Sequence, residues 1–111
     1  MTLLEVRHEH LDDVSIATFL GEFDLSGVEL VERELRMLEE RRPPVLLLDL
    51  SALAFLDSSG VRVILQADER ARRAGRRLAV LLGSGPPYRL FQILGLIERL
   101  DVVSDRADVL S

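Results

Sequence analysis

Hydrophobic and polar residues alternate from Leu3 to Leu11, with Glu5, Arg7 and Glu9 on one face and Leu4, Val6, His8 and His10 on the other. A period of two over this length predicts a half-exposed strand. The polar pair Asp12-Asp13 interrupts the pattern. Val14 to Leu20 is then rich in apolar and β-branched residues, which predicts a second strand joined to the first as an antiparallel hairpin. Gly21-Glu22-Phe23-Asp24 is expected to break it. Ser26 and Glu29 have the spacing of a capping box, and Val28, Val31, Leu35 and Leu38 recur at helical spacing up to a stop before Pro43-Pro44. Glu29 with Arg33, and Glu32 with Arg36, are spaced for i,i+4 ion pairs outside.

The run Val45 to Leu50 is almost wholly apolar, the pattern of a strand buried on both faces of a helix-covered sheet. A short connection through Phe55-Leu56 leads to Asp57-Ser58-Ser59-Gly60, and a second helix is predicted from there to Ala74, with Gly75 at its C′ position. Leu78 to Leu82 is a further buried strand. Gly83-Ser84-Gly85-Pro86-Pro87 turns the chain into a short third helix that carries Leu90, Phe91, Ile93 and Leu94 and ends at Gly95. A last short strand is expected within Leu96 to Val103, and Asp105 is placed to cap a terminal helix cut short at Ser111. The order β-β-α-β-α-β-α predicts one α/β domain over residues 1–111. Its mixed sheet starts with an antiparallel hairpin, continues through right-handed parallel crossovers and is covered by about four helices.

Composition narrows the classes of function. With 48% hydrophobic residues in 111, the chain suits a single core. Its apolar stretches are short and interrupted by charge, so neither membrane insertion nor a signal-peptide core is expected, and a cytoplasmic location follows. The absence of cysteine removes disulfides, thiolate chemistry and cysteine-bound zinc. A net charge of -5 disfavours direct contact with nucleic acid and favours a protein partner. All fourteen basic residues are arginine, which excludes a Walker lysine and a Schiff base. His8 and His10 share a strand face without an evident third ligand, and Gly-x-Ser-x-Gly is absent. No metal, no cofactor and no enzymatic activity are expected; a half-buried structural role suits the histidines better.

Loops after the carboxyl ends of parallel strands gather at one rim, which places Asp57 to Gly60 for recognition. From position alone, an aspartate or serine ahead of a helix is first of all an N-cap. A helix start also favours added negative charge, and a phosphoserine brings about -1.5 to -2. Ser58 therefore has two readings. Asp24 and Ser26 are expected near the same loop if the first helix starts at that rim. Arg62 lies one helical turn after Ser58 and leans toward it, within reach of a phosphate there.

Four segments in order carry a family resemblance: Gly21 to Asp24; Val45 to Leu50, ending in Asp49-Leu50-Ser51; Phe55 to Val61, around Asp57-Ser58-Ser59-Gly60; and Pro87 to Leu96. In these the chain resembles the STAS-domain family of bacterial anti-sigma-factor antagonists. Arg62 and Leu94 depart from its pattern, where a small residue and a threonine are frequent. The resemblance implies that Ser58 accepts phosphate from an anti-sigma factor that is itself a serine kinase. It also implies that the unphosphorylated protein binds this factor and releases a sigma factor, and that a separate serine phosphatase reverses the modification. Asp24, Ser26, Asp57, Ser58, Ser59, Gly60 and Arg62 are then the expected partner surface of a protein that is a monomer when free. The alternative is a non-switching STAS subunit of a stress-sensing scaffold or of a lipid or anion transporter complex. A two-component receiver fits less well, because it resembles regular βα units with a lysine at the acidic site.

Overall fold

The computed structural model describes residues 3–110. Residues 1, 2 and 111, the ends of the expected domain, lie outside that range. Strands β1 (Leu4–Leu11) and β2 (Val14–Phe23) form the antiparallel hairpin, with Leu11 opposite Val14. They are followed by α1 (Val28–Glu40), β3 (Val45–Asp49), β4 (Leu53–Leu56), α2 (Ser58–Ala74), β5 (Arg77–Leu81), α3 (Pro86–Ile93) and β6 (Asp101–Val103). The sheet order is β1-β2-β3-β5-β6, with β4 paired to β2, and every pairing after the hairpin is parallel. Among the described residues there are three α-helices, not about four, and two single 3-10 turns at Leu25–Gly27 and Arg106–Asp108. The second turn is where the terminal helix was expected; Asp105 caps it in a capping box with Asp108.

Two further differences shape the functional rim. Gly21 does not end β2. At φ 101° it forms a bulge, and a Cβ there would lie 1.9 Å from the Leu3 carbonyl oxygen, so only glycine lets the strand continue. β2 pairs with β3 as far as Thr18 and with β4 from Gly21, and the register shift after Gly21 sets Glu22 against Phe55 and Phe23 against Leu56. Phe55-Leu56 is thus strand rather than connection, and β3 and β4 run in succession along one edge of β2.

Strand alternation gives the sheet two buried faces. Ala17, Phe19, Leu46, Leu48, Leu78 and Val80 pack under Val31, Leu35 and Leu38 of α1, Val61, Ile64, Ala67 and Ala71 of α2, and Phe91 of α3. Each such large side chain contributes about 1.5–3 kcal/mol by leaving water. The opposite face gathers Val14, Ile16, Leu47, Ala79, Leu81 and Val103 beneath Val109, so the C-terminal turn covers it in place of a helix. Arg106 fastens that turn. Its Nη1 donates to Glu9 Oε1 (2.9 Å), its Nη2 to Thr18 Oγ1 (2.9 Å) and Asp49 Oδ2 (3.1 Å), spanning β1, β2 and β3. The bond to Glu9 is the main cause that raises its pKa.

Helix ends and ion pairs follow local chemistry with exceptions. Gly75 closes α2 in the left-handed region at φ 70°. Among the described residues, i,i+4 bridges form on α2, between Arg72 and Asp68 and between Arg73 and Glu69, rather than at the spaced pairs on α1. Glu39 of α1 instead binds Arg70 of α2 through two 2.8 Å bonds and raises the arginine's pKa.

Candidate functional site

The register that sets Phe23 beside Leu56 brings the ends of β2 and β4 to one level. The Asp57 N–H donates to the Phe23 carbonyl (3.3 Å), so the two following turns stand side by side at the carboxyl rim. Both turns are built alike. Asp24 Oδ1 accepts from the Ser26 N–H (3.0 Å) and hydroxyl (2.6 Å), and Asp57 Oδ1 accepts from the N–H groups of Ser59 (2.9 Å) and Gly60 (3.3 Å). Asp49 repeats the device with Ser51 after β3, at 3.0 and 2.6 Å. Three Asp-x-Ser triplets therefore close three parallel strands, and this repetition was readable in the sequence although the capping-box spacing overshadowed it.

The Ser26–Glu29 capping box does not form the start of α1. The N-cap is Gly27, without a side-chain bond, because Asp24 has drawn Ser26 into the preceding 3-10 turn. At α2 the cap is Asp57, and Ser58 is the first helical residue. The first-turn amides are largely occupied: Ser59 and Gly60 bond the Asp57 side chain, and Val61 bonds its carbonyl (3.1 Å). Ser58 is exposed, and its hydroxyl has no hydrogen-bond partner among the described residues.

Ser58, Ser59 and Arg62 line a shallow groove of about 220 Å³ between the starts of α1 and α2, together with Leu25, Val28, Glu32, Val63 and Gln66. Asp24 and Ser26 adjoin it through Leu25. Gly60 is buried beneath it, where a Cβ would lie 2.5 Å from Leu56 Cδ1 and 3.0 Å from Phe23 Cδ2. Its part is to let α2 begin against the core. Arg62 is exposed, with no ion-pair partner among the described residues. Sequence reasoning passed over Leu25, 72% exposed in the groove, and Phe55, 45% exposed on β4. An apolar residue inside a polar turn, and an aromatic two residues before the loop, were the available signals.

The histidines lie away from this rim. His8 Nε2 is 3.3 Å from Glu34 Oε1 on α1, and His10 Nδ1 is 3.0 Å from Ser15 Oγ. His8 is half-buried; His10 is exposed. Among the described residues no group of three or more histidine or carboxylate side chains is placed to hold a metal ion, and no helix is long and apolar enough to cross a membrane.

Comparison with known proteins agrees with this geometry. The STAS domain family model matches residues 5–109. The chain is 28% identical over 109 residues to the anti-sigma F factor antagonist of Paenibacillus polymyxa, covering 97% of this chain and 93% of that protein. Among solved structures, an anti-sigma factor antagonist from Mycobacterium paratuberculosis superposes with a TM-score of 0.88 at 24% identity, covering 97% of this chain and 92% of that one. The anti-sigma factor antagonist SpoIIAA in its unphosphorylated form superposes with a TM-score of 0.78 at 20% identity, covering 95% and 93%. These likenesses below 25% identity establish the shared fold.

Proposed function

The chain belongs to the STAS-domain family, and we propose that within it the protein is an anti-sigma factor antagonist switched by phosphorylation of Ser58. The unmodified form binds an anti-sigma factor that is also a serine kinase and so frees a sigma factor. Phosphate on Ser58 ends that binding, and a separate serine phosphatase restores it. The chain itself need catalyse nothing, and it acts in the cytoplasm.

The carrying observation is the division of labour at the start of α2. Asp57 caps the helix, which leaves the Ser58 hydroxyl exposed and uncommitted on the rim. Modification there adds charge without breaking a bond that holds the fold. Exposed Leu25, which lines the same groove, supplies apolar contact of the kind a protein partner needs, and a dianion set into such a contact is costly to desolvate. Asp24, Ser26, Asp57, Ser59 and Arg62 form the polar surround, and Gly60 fixes the height of the loop.

Incubation with ATP and candidate anti-sigma kinases, followed by phosphosite mass spectrometry, is expected to show one phosphate, on Ser58. Ser58→Ala should bind the anti-sigma factor and resist phosphorylation, while Ser58→Asp should bind at least about tenfold more weakly, equivalent to roughly 1.4 kcal/mol. Equal binding by the two variants would sink the switch.

A further inference from the structure

Four arginines lie on α2, and three of them are engaged: Arg70 with Glu39, Arg72 with Asp68 and Arg73 with Glu69. Arg62 is the exception among the described residues, with no carboxylate in ion-pair distance. It lines the same groove as Ser58, four residues earlier on the helix. Residues so spaced stand about 5–6 Å apart at Cβ, and long helical side chains lean toward the N-terminus, from Arg62 toward Ser58. The groove lining carries one cation, Arg62, and one anion, Glu32, so its formal charge is balanced before modification.

We propose that Arg62 is the intramolecular receptor of the phosphate on Ser58, an inference that rests on the Ser58 reading above. The Ser59 and Gly60 N–H groups are already held by the Asp57 side chain. A dianion on Ser58 upsets the charge balance of the groove and draws the free guanidinium, whose fork matches phosphate oxygens in a bidentate contact. The phosphate then lies back along α2 over the groove. This contact favours the dianionic over the monoanionic form, and it competes with any phosphatase for the same oxygens. Arg62 is thus a positioning residue for the modified state, one that sets how long the off state lasts.

The test uses the full chain with phosphoserine installed at position 58 during synthesis, so that no kinase is needed. The phosphate is titrated by ³¹P NMR in the otherwise wild-type chain and in Arg62→Gln, which keeps the aliphatic stem and the helix propensity. The expected result is a proton affinity about threefold higher in Arg62→Gln, since an adjacent opposite charge favours the ionised form. A merely structural role for Arg62 would not move this titration. Superimposable curves overturn the contact and leave the switch standing. Equal anti-sigma binding by the phosphorylated and unmodified chains overturns the switch, whatever the titration shows.

Discussion

Capping falls to Asp57 at the start of α2, and substitution separates it from the switching role proposed for Ser58. In Asp57→Ala the N–H groups of Ser59 and Gly60 lose the oxygen that accepts both, at 2.9 and 3.3 Å. Loss of an N-cap costs about 0.5–2 kcal/mol, and loss of a carboxylate at the positive end of the helix dipole adds about 0.3–1 kcal/mol. A total near 1.5 kcal/mol is expected. Asp57→Asn keeps the accepting oxygen and should lose only the charge contribution. Ser58→Ala removes an exposed hydroxyl with no partner among the described residues and should change stability by less than about 0.5 kcal/mol. Urea unfolding followed by far-ultraviolet circular dichroism measures all three. With a slope of about 1–3 kcal/mol per molar, Asp57→Ala should move the midpoint down by roughly 0.5–1.5 M, and Ser58→Ala should barely move it. If Ser58→Ala costs as much as Asp57→Ala, the serine is the cap and the reasoning fails. If Asp57→Asn is as damaging as Ala, the accepting oxygen is not what matters.

Gly60→Ala gains about 1 kcal/mol of helix propensity but forces a methyl to 2.5 Å from Leu56 and 3.0 Å from Phe23. Overpacking of about 1–3 kcal/mol should win, lowering the melting temperature; an unchanged or raised value refutes the packing argument. Arg106→Ala leaves Asp49, 6% exposed, without the donor to its Oδ2 and releases the C-terminal turn from three strands. A loss of about 1–3 kcal/mol is expected, with amide exchange accelerated first at residues 106–109. Wild-type exchange in that segment would show that the turn is held by Val109 alone.

Where local chemistry decides, the chain was legible. The β1–β2 hairpin followed from alternation broken by Asp12-Asp13, and the C-terminus of α2 from Gly75, whose left-handed backbone needs nothing distant. Burial of Val45 to Leu50 followed from apolar content, yet what covers its second face did not. The covering residue, Val109, lies 62 positions after Leu47. β4 escaped because four residues buried only at their two ends carry no period to read. The capping box at Ser26 misled because Asp24 competed for the same serine at shorter range.

The sequence by itself determined the hairpin, the helical faces, the polar loop Asp57 to Gly60 at a helix start and the family-like segments through which Ser58 is proposed. Which residue caps and which stays free, and whether Asp24 stands beside Ser58, were decided only by the tertiary structure. Those facts depend on the register Phe23 to Leu56 and on the bulge at Gly21 that allows it. Local propensity acts over a few residues, whereas register is settled by the whole core at once. The same serine could therefore be read from the chain as a cap, and only the folded sheet shows the hydroxyl to be without a partner among the described residues.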